Sequence, residues 1–153
     1  MPHPASSLLP VSSLLYVSVG LLRPEEQKSE IDDIVGVARS RNEELGVTGA
    51  LVYTGEHFAQ VLEGSASAVD ELMTSICRDP RHAKVDIVEV VDIAERRFTG
   101  WSMAYCGPSL YVDRHIRPLF KDIAEPGTRT AGAASLIRLM QAFAGTGGVY
   151  QER

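Results

Sequence analysis

A chain of 153 residues with 44% apolar and 23% charged side chains is sized for one globular domain with an adequate core. Its net charge of −5 argues against general binding to a phosphate backbone, which needs a basic face, and no Lys/Arg run marks a local basic patch within that total. No apolar run reaches the ~18–20 residues that cross a bilayer, and two cysteines, Cys77 and Cys106, are too few for a disulfide framework. The expectation is a cytoplasmic protein with reduced thiols and no membrane or nucleic-acid partner.

Residues 1–12 lack a basic leader and are broken by Pro2, Pro4 and Pro10, which predicts a flexible tail rather than a secretory signal. From Leu14 to Val19 the residues suit a strand, with Leu14, Tyr16 and Ser18 on one face and Leu15, Val17 and Val19 on the other. Apolar residues on both faces predict a central strand covered on both sides. Pro24 then opens a helix with Glu25 and Glu26 in its first turn, where the dipole favours anions. Ile31, Ile34, Val35 and Ala38 form its apolar stripe, and one more turn brings Asn42 onto the same side, facing the core. Gly46 ends the helix.

Two β-rich runs follow, Thr48 to Tyr53 and His57 to Leu62, joined by Thr54, Gly55 and Glu56 as a hairpin. In the second run Phe58, Gln60 and Leu62 share a face. Ser65 or Ser67 caps a second helix whose stripe is Val69, Leu72, Met73 and Ile76, and Asp79-Pro80 ends it. Val85 to Ile93 reads as a fourth strand, Glu95, Arg96 and Arg97 as a solvated turn, and Trp101 to Cys106 as a fifth strand. Beyond residue 107 a helical extension is expected over 108–145, broken at Pro126-Gly127, with Leu136, Leu139, Met140 and Phe143 on one side. That apolar side needs either the sheet's open face or a partner, and it suggests a dimer. Residues 146–153 are expected to fray. The histidines His3, His57, His82 and His115 have no metal-ligand spacing, so no metal is expected.

These elements spell an α+β fold of ferredoxin-like βαββαββ order: a mixed sheet with two helices on one face, plus C-terminal helices. The first and third strands are expected side by side in the middle of the sheet, running parallel. Neighbouring strands lie ~4.8 Å apart, so Tyr16 and Gln60 can meet beneath the helices. Asn42 points into the same space. Each of these side chains could simply bond nearby backbone; together they can also line a pocket for a flat heteroaromatic ligand with carbonyl and ring-nitrogen edges.

The runs LLYVS at 14–18, RNEELGVTGALVY at 41–53, FAQVLEG at 58–64, DPRH at 79–82 and RFTGWSM at 97–103 closely resemble BLUF domains, the sensors of blue light using FAD. The resemblance covers residues 14–107 in order and spacing, and places a flavin-binding domain at 13–107. It implies that Tyr16 donates an electron and a proton to the excited flavin, and that Gln60 lies between tyrosine and flavin and rearranges its hydrogen bonds. It implies that Asn42 holds the carbonyl edge of the ring, that Trp101 and Met103 pass the change outward, and that Ser18 tunes the tyrosine network. Asp79 and His82 match positions at the pocket mouth, where a plain helix-end role is equally open; Ile34 and Phe58 are counted among the lining residues.

Some residues depart from the family pattern. Arg41 stands where relatives often have Asn or His, and its reach extends to the flavin edge, the phosphates of the flavin side chain, or solvent. Ser75 stands where many relatives carry a basic residue near the ribityl chain. Ala59 replaces a larger apolar residue.

The implied function is a photoreceptor with non-covalent FAD, FMN or riboflavin, acting through an unidentified protein partner rather than by catalysis. The competing readings are a small phosphatase or flavin reductase on the same scaffold and a pigment-free interaction module. Val19-Gly20-Leu21-Leu22-Arg23 is a poor anion loop, and no Ser/His/Asp or Cys/His set is evident.

Overall fold

The computed structural model describes residues 10–145; the tail expectations for residues 1–9 and 146–153 lie outside the described residues. The chain runs β1 (Val11–Gly20), a 3-10 turn (Pro24–Glu26), α1 (Gln27–Leu45), β2 (Thr48–Tyr53), β3 (His57–Gly64), α2 (Ala66–Arg78), β4 (His82–Ile93) and β5 (Ala104–Cys106). A turn of π-helix (Val112–Ile116) then leads into α3 (Arg117–Ala124) and α4 (Arg129–Gly145). Local chemistry accounts for the ends. Gly46 closes α1 in the left-handed conformation at φ 70°, which a residue without Cβ adopts at little cost. Ser65 caps α2 by accepting from the Ala68 N–H at 3.2 Å. In the β2–β3 turn, Thr54 Oγ1 accepts from the backbone N–H groups of Glu56 and His57.

The sheet order is β4-β1-β3-β2-β5. β1 and β3 are neighbours in the middle, but they run antiparallel, not parallel as the sequence reading expects. The crossover through α1 returns β2 in the same direction as β1, and the tight hairpin then turns β3 around between them. The opposite Cα partners are Leu14 with Leu62, Tyr16 with Gln60 and Ser18 with Phe58, so the shared face survives the change of direction. β2 pairs with β5 in parallel, which makes the sheet mixed. β5 is only three residues long, leaving Trp101 and Met103 in the segment that precedes it. β1 begins at Val11, inside the segment read as a tail.

Two apolar cores lie on the two faces. Under α1 and α2, Leu14, Tyr16, Leu51, Phe58, Leu62 and Met103 pack with Ile31, Val35, Val69, Leu72 and Met73. On the other face, Leu15, Ala50, Val52, Ala59, Val61, Trp101 and Cys106 pack with Ile116, Ile123, Leu136, Ile137, Met140 and Phe143 of the C-terminal segment. The apolar side of α4 is therefore used inside the chain, and the surface that suggests a dimer in the sequence is covered by its own sheet.

The turn read as solvated is pinned instead. Glu63 is fully buried and accepts from the backbone N–H groups of Arg97 at 2.9 Å and Phe98 at 2.8 Å. Arg96 donates to Thr48 Oγ1 and to the Glu63 carbonyl. Only Glu95 of the three is exposed.

Candidate functional site

The alternation of β1 and β3 puts Tyr16 and Gln60 on the helix-covered face, directly opposite each other. The Tyr16 hydroxyl donates to Gln60 Oε1 at 2.6 Å, and both residues are buried. Because the phenol needs an acceptor, the amide nitrogen of Gln60 is turned the other way, 3.8 Å from Met103 Sδ. Burial, with repulsion from Cys77 and Asp79, pushes the Tyr16 phenol far above the ordinary tyrosine value, so it stays protonated.

Asn42 is 1% exposed, although it lies on a helix that is largely polar. Its Nδ2 donates to the Ser102 carbonyl at 2.7 Å; Nδ2 carries two N–H groups, so this bond leaves a second one. Three further bonds tie the segment before β5 to its surroundings. Arg39 Nε donates to the Met103 carbonyl at 3.1 Å, the Gly49 N–H to the Trp101 carbonyl at 3.1 Å and the Trp101 N–H to the Phe98 carbonyl at 3.0 Å. Gly49 is needed there, since a Cβ would sit 2.0 Å from the Val61 carbonyl.

A cavity of about 180 Å³ opens between α1, α2 and the sheet. Tyr16, Asn42 and Gln60 all line it, as do Ile34, Arg41, Phe58, Asp79 and His82. Apolar walls come from Leu51, Leu72 and Ile76 as well. Ser75 and Val37 lie on the wall too. Trp101 does not line the cavity: it is in the core on the opposite face, while Met103 is the residue beside Gln60.

Ser18 reaches the site indirectly. Its hydroxyl lies 2.8 Å from His82 Nδ1, and His82 Nε2 lies 2.7 Å from the Ile76 carbonyl. A carbonyl can only accept, so Nε2 carries a proton, and in the neutral ring Nδ1 accepts from Ser18.

Arg81, absent from the sequence-based site, is part of the wall. Its guanidinium forks onto Asp79 (Nε to Oδ1 2.9 Å, Nη2 to Oδ2 2.7 Å) and reaches Asp33 of α1 at 2.8 Å. Hydrogen bonds from Arg81 hold the Asp79 carboxyl below the usual carboxylate range. The DPRH run contained the signal, because Arg81 sits between two residues already singled out. Arg41 faces Glu71 of α2 at 3.2 Å, so ion pairs link the two sides of the cavity at Arg41–Glu71 and Asp33–Arg81.

A buried phenol–carboxamide pair thus faces a cavity with apolar walls and polar rims. The family model described as BLUF, sensors of blue-light using FAD, matches residues 11–104, well over half of the chain. This chain belongs to the BLUF family. The "Blue light- and temperature-regulated antirepressor BluF" of Escherichia coli (strain K12) is a curated relative, 38% identical over 91 residues. That alignment covers 59% of this chain and 22% of the relative. "Photoactivated adenylate cyclase subunit alpha" of Euglena gracilis is 34% identical over 91 residues, 59% of this chain and 9% of the relative. The chain thus spans a small part of the length of these larger BLUF proteins. Among solved structures, "BlrB - a BLUF protein, dark state structure" superposes with TM-score 0.76 at 34% identity, covering 89% of this chain and 98% of that one. "Klebsiella pneumoniae BlrP1 with FMN and cyclic diGMP, no metal ions" gives TM-score 0.61 at 31% identity, covering 90% of this chain and 35% of that one. As a BLUF protein the chain is a flavin-binding, blue-light-sensing module. Among the described residues no helix is long and apolar enough to cross a membrane.

Proposed function

We propose that this BLUF protein is a light-operated switch in which Tyr16 and Gln60 convert absorption by a flavin into a displacement of the segment before β5. The observation that carries the reading is the 2.6 Å bond from the Tyr16 hydroxyl to Gln60, on the wall of a cavity shared with Asn42 and Arg81.

The donor set fits a flavin. Ile34, Leu51, Phe58, Leu72 and Ile76 supply flat apolar contact, while Asn42 and Arg81 offer N–H groups to ring carbonyls and Asp79 offers oxygen to a ring N–H. These residues would hold the ring, and Arg41 and Ser75, on the same wall, would be available to its polar side chain. FAD is the ligand named by the family; FMN and riboflavin share the same ring contacts.

A bound flavin supplies absorption of blue light and an excited state that accepts an electron. Tyr16 is the electron source. Its phenol is un-ionised and its proton lies on a short bond to Gln60, by which it would follow the electron to the flavin, so no stranded buried charge would be left on Tyr16. Gln60 accepts from Tyr16 at one end and offers its N–H to Met103 at the other. Turning the amide end for end, or moving a proton across it, reverses which neighbours it satisfies. Met103 feels that reversal first. Its carbonyl is held by Arg39, and the next residue, Ala104, packs in the core shared with the C-terminal helices. Output then reaches a protein partner through those helices, in this cytoplasmic sensor without catalytic activity of its own.

The test is the absorbance spectrum of the flavin-loaded protein before and after blue illumination. A reversible red shift is expected; Tyr16→Phe should abolish it while flavin stays bound. A shift that persists in Tyr16→Phe overturns the mechanism.

A further inference from the structure

Glu63 has no place in the mechanism above, yet it is fully buried and its carboxylate is held by donors alone. Thr48 Oγ1 donates to Oε1 at 2.8 Å, the Phe98 N–H to Oε1 at 2.8 Å and the Arg97 N–H to Oε2 at 2.9 Å. Two of those donors belong to the loop after β4. Strand alternation puts Glu63 on the face opposite Gln60, three residues along the same strand.

The two side chains bracket one stretch of chain. At its start, Glu63 fixes Arg97 and Phe98. At its end, Gln60 touches Met103. Between them the chain makes a turn closed by the Trp101 N–H to the Phe98 carbonyl at 3.0 Å, with Gly100 at φ 88°. A displacement begun at Met103 therefore works against an end that β3 itself holds still, and the turn at Gly100 is where the backbone can give.

We propose that Glu63 is a positioning residue of the photoswitch, an inference that rests on the function proposed above. It anchors the loop so that the Trp101–Met103 segment, once moved, is drawn back to its starting place. Removing the anchor slows that return without altering how light is absorbed.

The experiment uses the full flavin-loaded chain. Glu63→Gln keeps the size of the side chain but replaces one acceptor by an N–H₂ group, which cannot receive a backbone N–H. The expected result is retained flavin and red shift, with dark recovery slowed about threefold or more. Emission from Trp101, the single tryptophan, should follow the same slower course. A purely structural role would lower the melting temperature and leave both rates unchanged. Gly100→Ala is the second variant: its Cβ meets nothing within 4 Å, so the fold is kept, but φ 88° strains the turn. It should change the recovery rate about threefold or more in either direction. Recovery within about twofold of the parent in Gly100→Ala and in any folded Glu63→Gln overturns the proposal. Absence of a red shift in the parent protein instead overturns the photoreceptor reading on which it rests.

Discussion

At the scale of single residues, the site depends on side chains whose surroundings decide their protonation. Tyr16 keeps its proton because burial disfavours the charged phenolate. Asp79 is the opposite case. Arg81 holds its folded value below the usual range, so the unfolded chain binds more protons in acid. Its stabilising contribution is complete above about pH 4 and is lost as pH falls through the lowered folded value. Asp79→Asn should therefore lower the melting temperature near neutrality and flatten the acid limb, measured by thermal melts from about pH 3 to 7. An unchanged acid limb would remove Asp79 from the account. Tyr16, Gln60 and Asn42 were readable because period-2 and period-3.6 patterns assign a face before any partner is known. Arg81 carries no such periodic signal; only its place in the DPRH run, between Asp79 and His82, marks it. Glu63 was not readable either, since its burial depends on loop amides far away in sequence.

At the scale of elements, the patterns identified each strand and helix, yet not the direction of β3 nor the partner of α4. Direction needed the topology to be followed through the crossover and the hairpin; alternation alone is blind to it, because it is the same read either way. For α4, an apolar stripe of Leu136, Met140 and Phe143 specifies a need for cover without naming the cover. The sheet meets that need with Leu15, Val52 and Val61. Leu136→Ala, at a position with no exposed surface, should cost about 2–5 kcal/mol in urea unfolding. A loss well under 1 kcal/mol would mean that α4 adds little to the fold. Polar clasps at the rim contribute less. Arg117 of α3 bonds the Thr54 carbonyl at 2.7 Å and pairs with Glu56 of the β2–β3 turn, and Arg129 of α4 forks onto Asp86 of β4. These pairs are exposed, where screening keeps each near 0–1 kcal/mol, roughly.

At the scale of the whole molecule, one sheet separates two cores that do different jobs. The face under α1 and α2 holds the cavity, and the face under α3 and α4 is packed with side chains. The segment before β5 takes part in both, with Met103 in one core and Trp101 in the other. A chain cut after Gly107 would bare the second face. It should aggregate or associate, seen as a larger species in size-exclusion chromatography, while the intact chain keeps that face covered. A truncated chain that stays a soluble monomer would show that the sheet does not need its cover.

The placement of the two thiols makes the molecule its own reporter. Cys77 is open to reagents at the surface, whereas Cys106 is sealed under the C-terminal helices and burial pushes its thiol up to about 11. An alkylating reagent at mildly alkaline pH should tag Cys77 at once and reach Cys106 only during excursions in which those helices lift away. If blue light speeds the second modification and not the first, the disturbance born beside Gln60 has crossed the sheet.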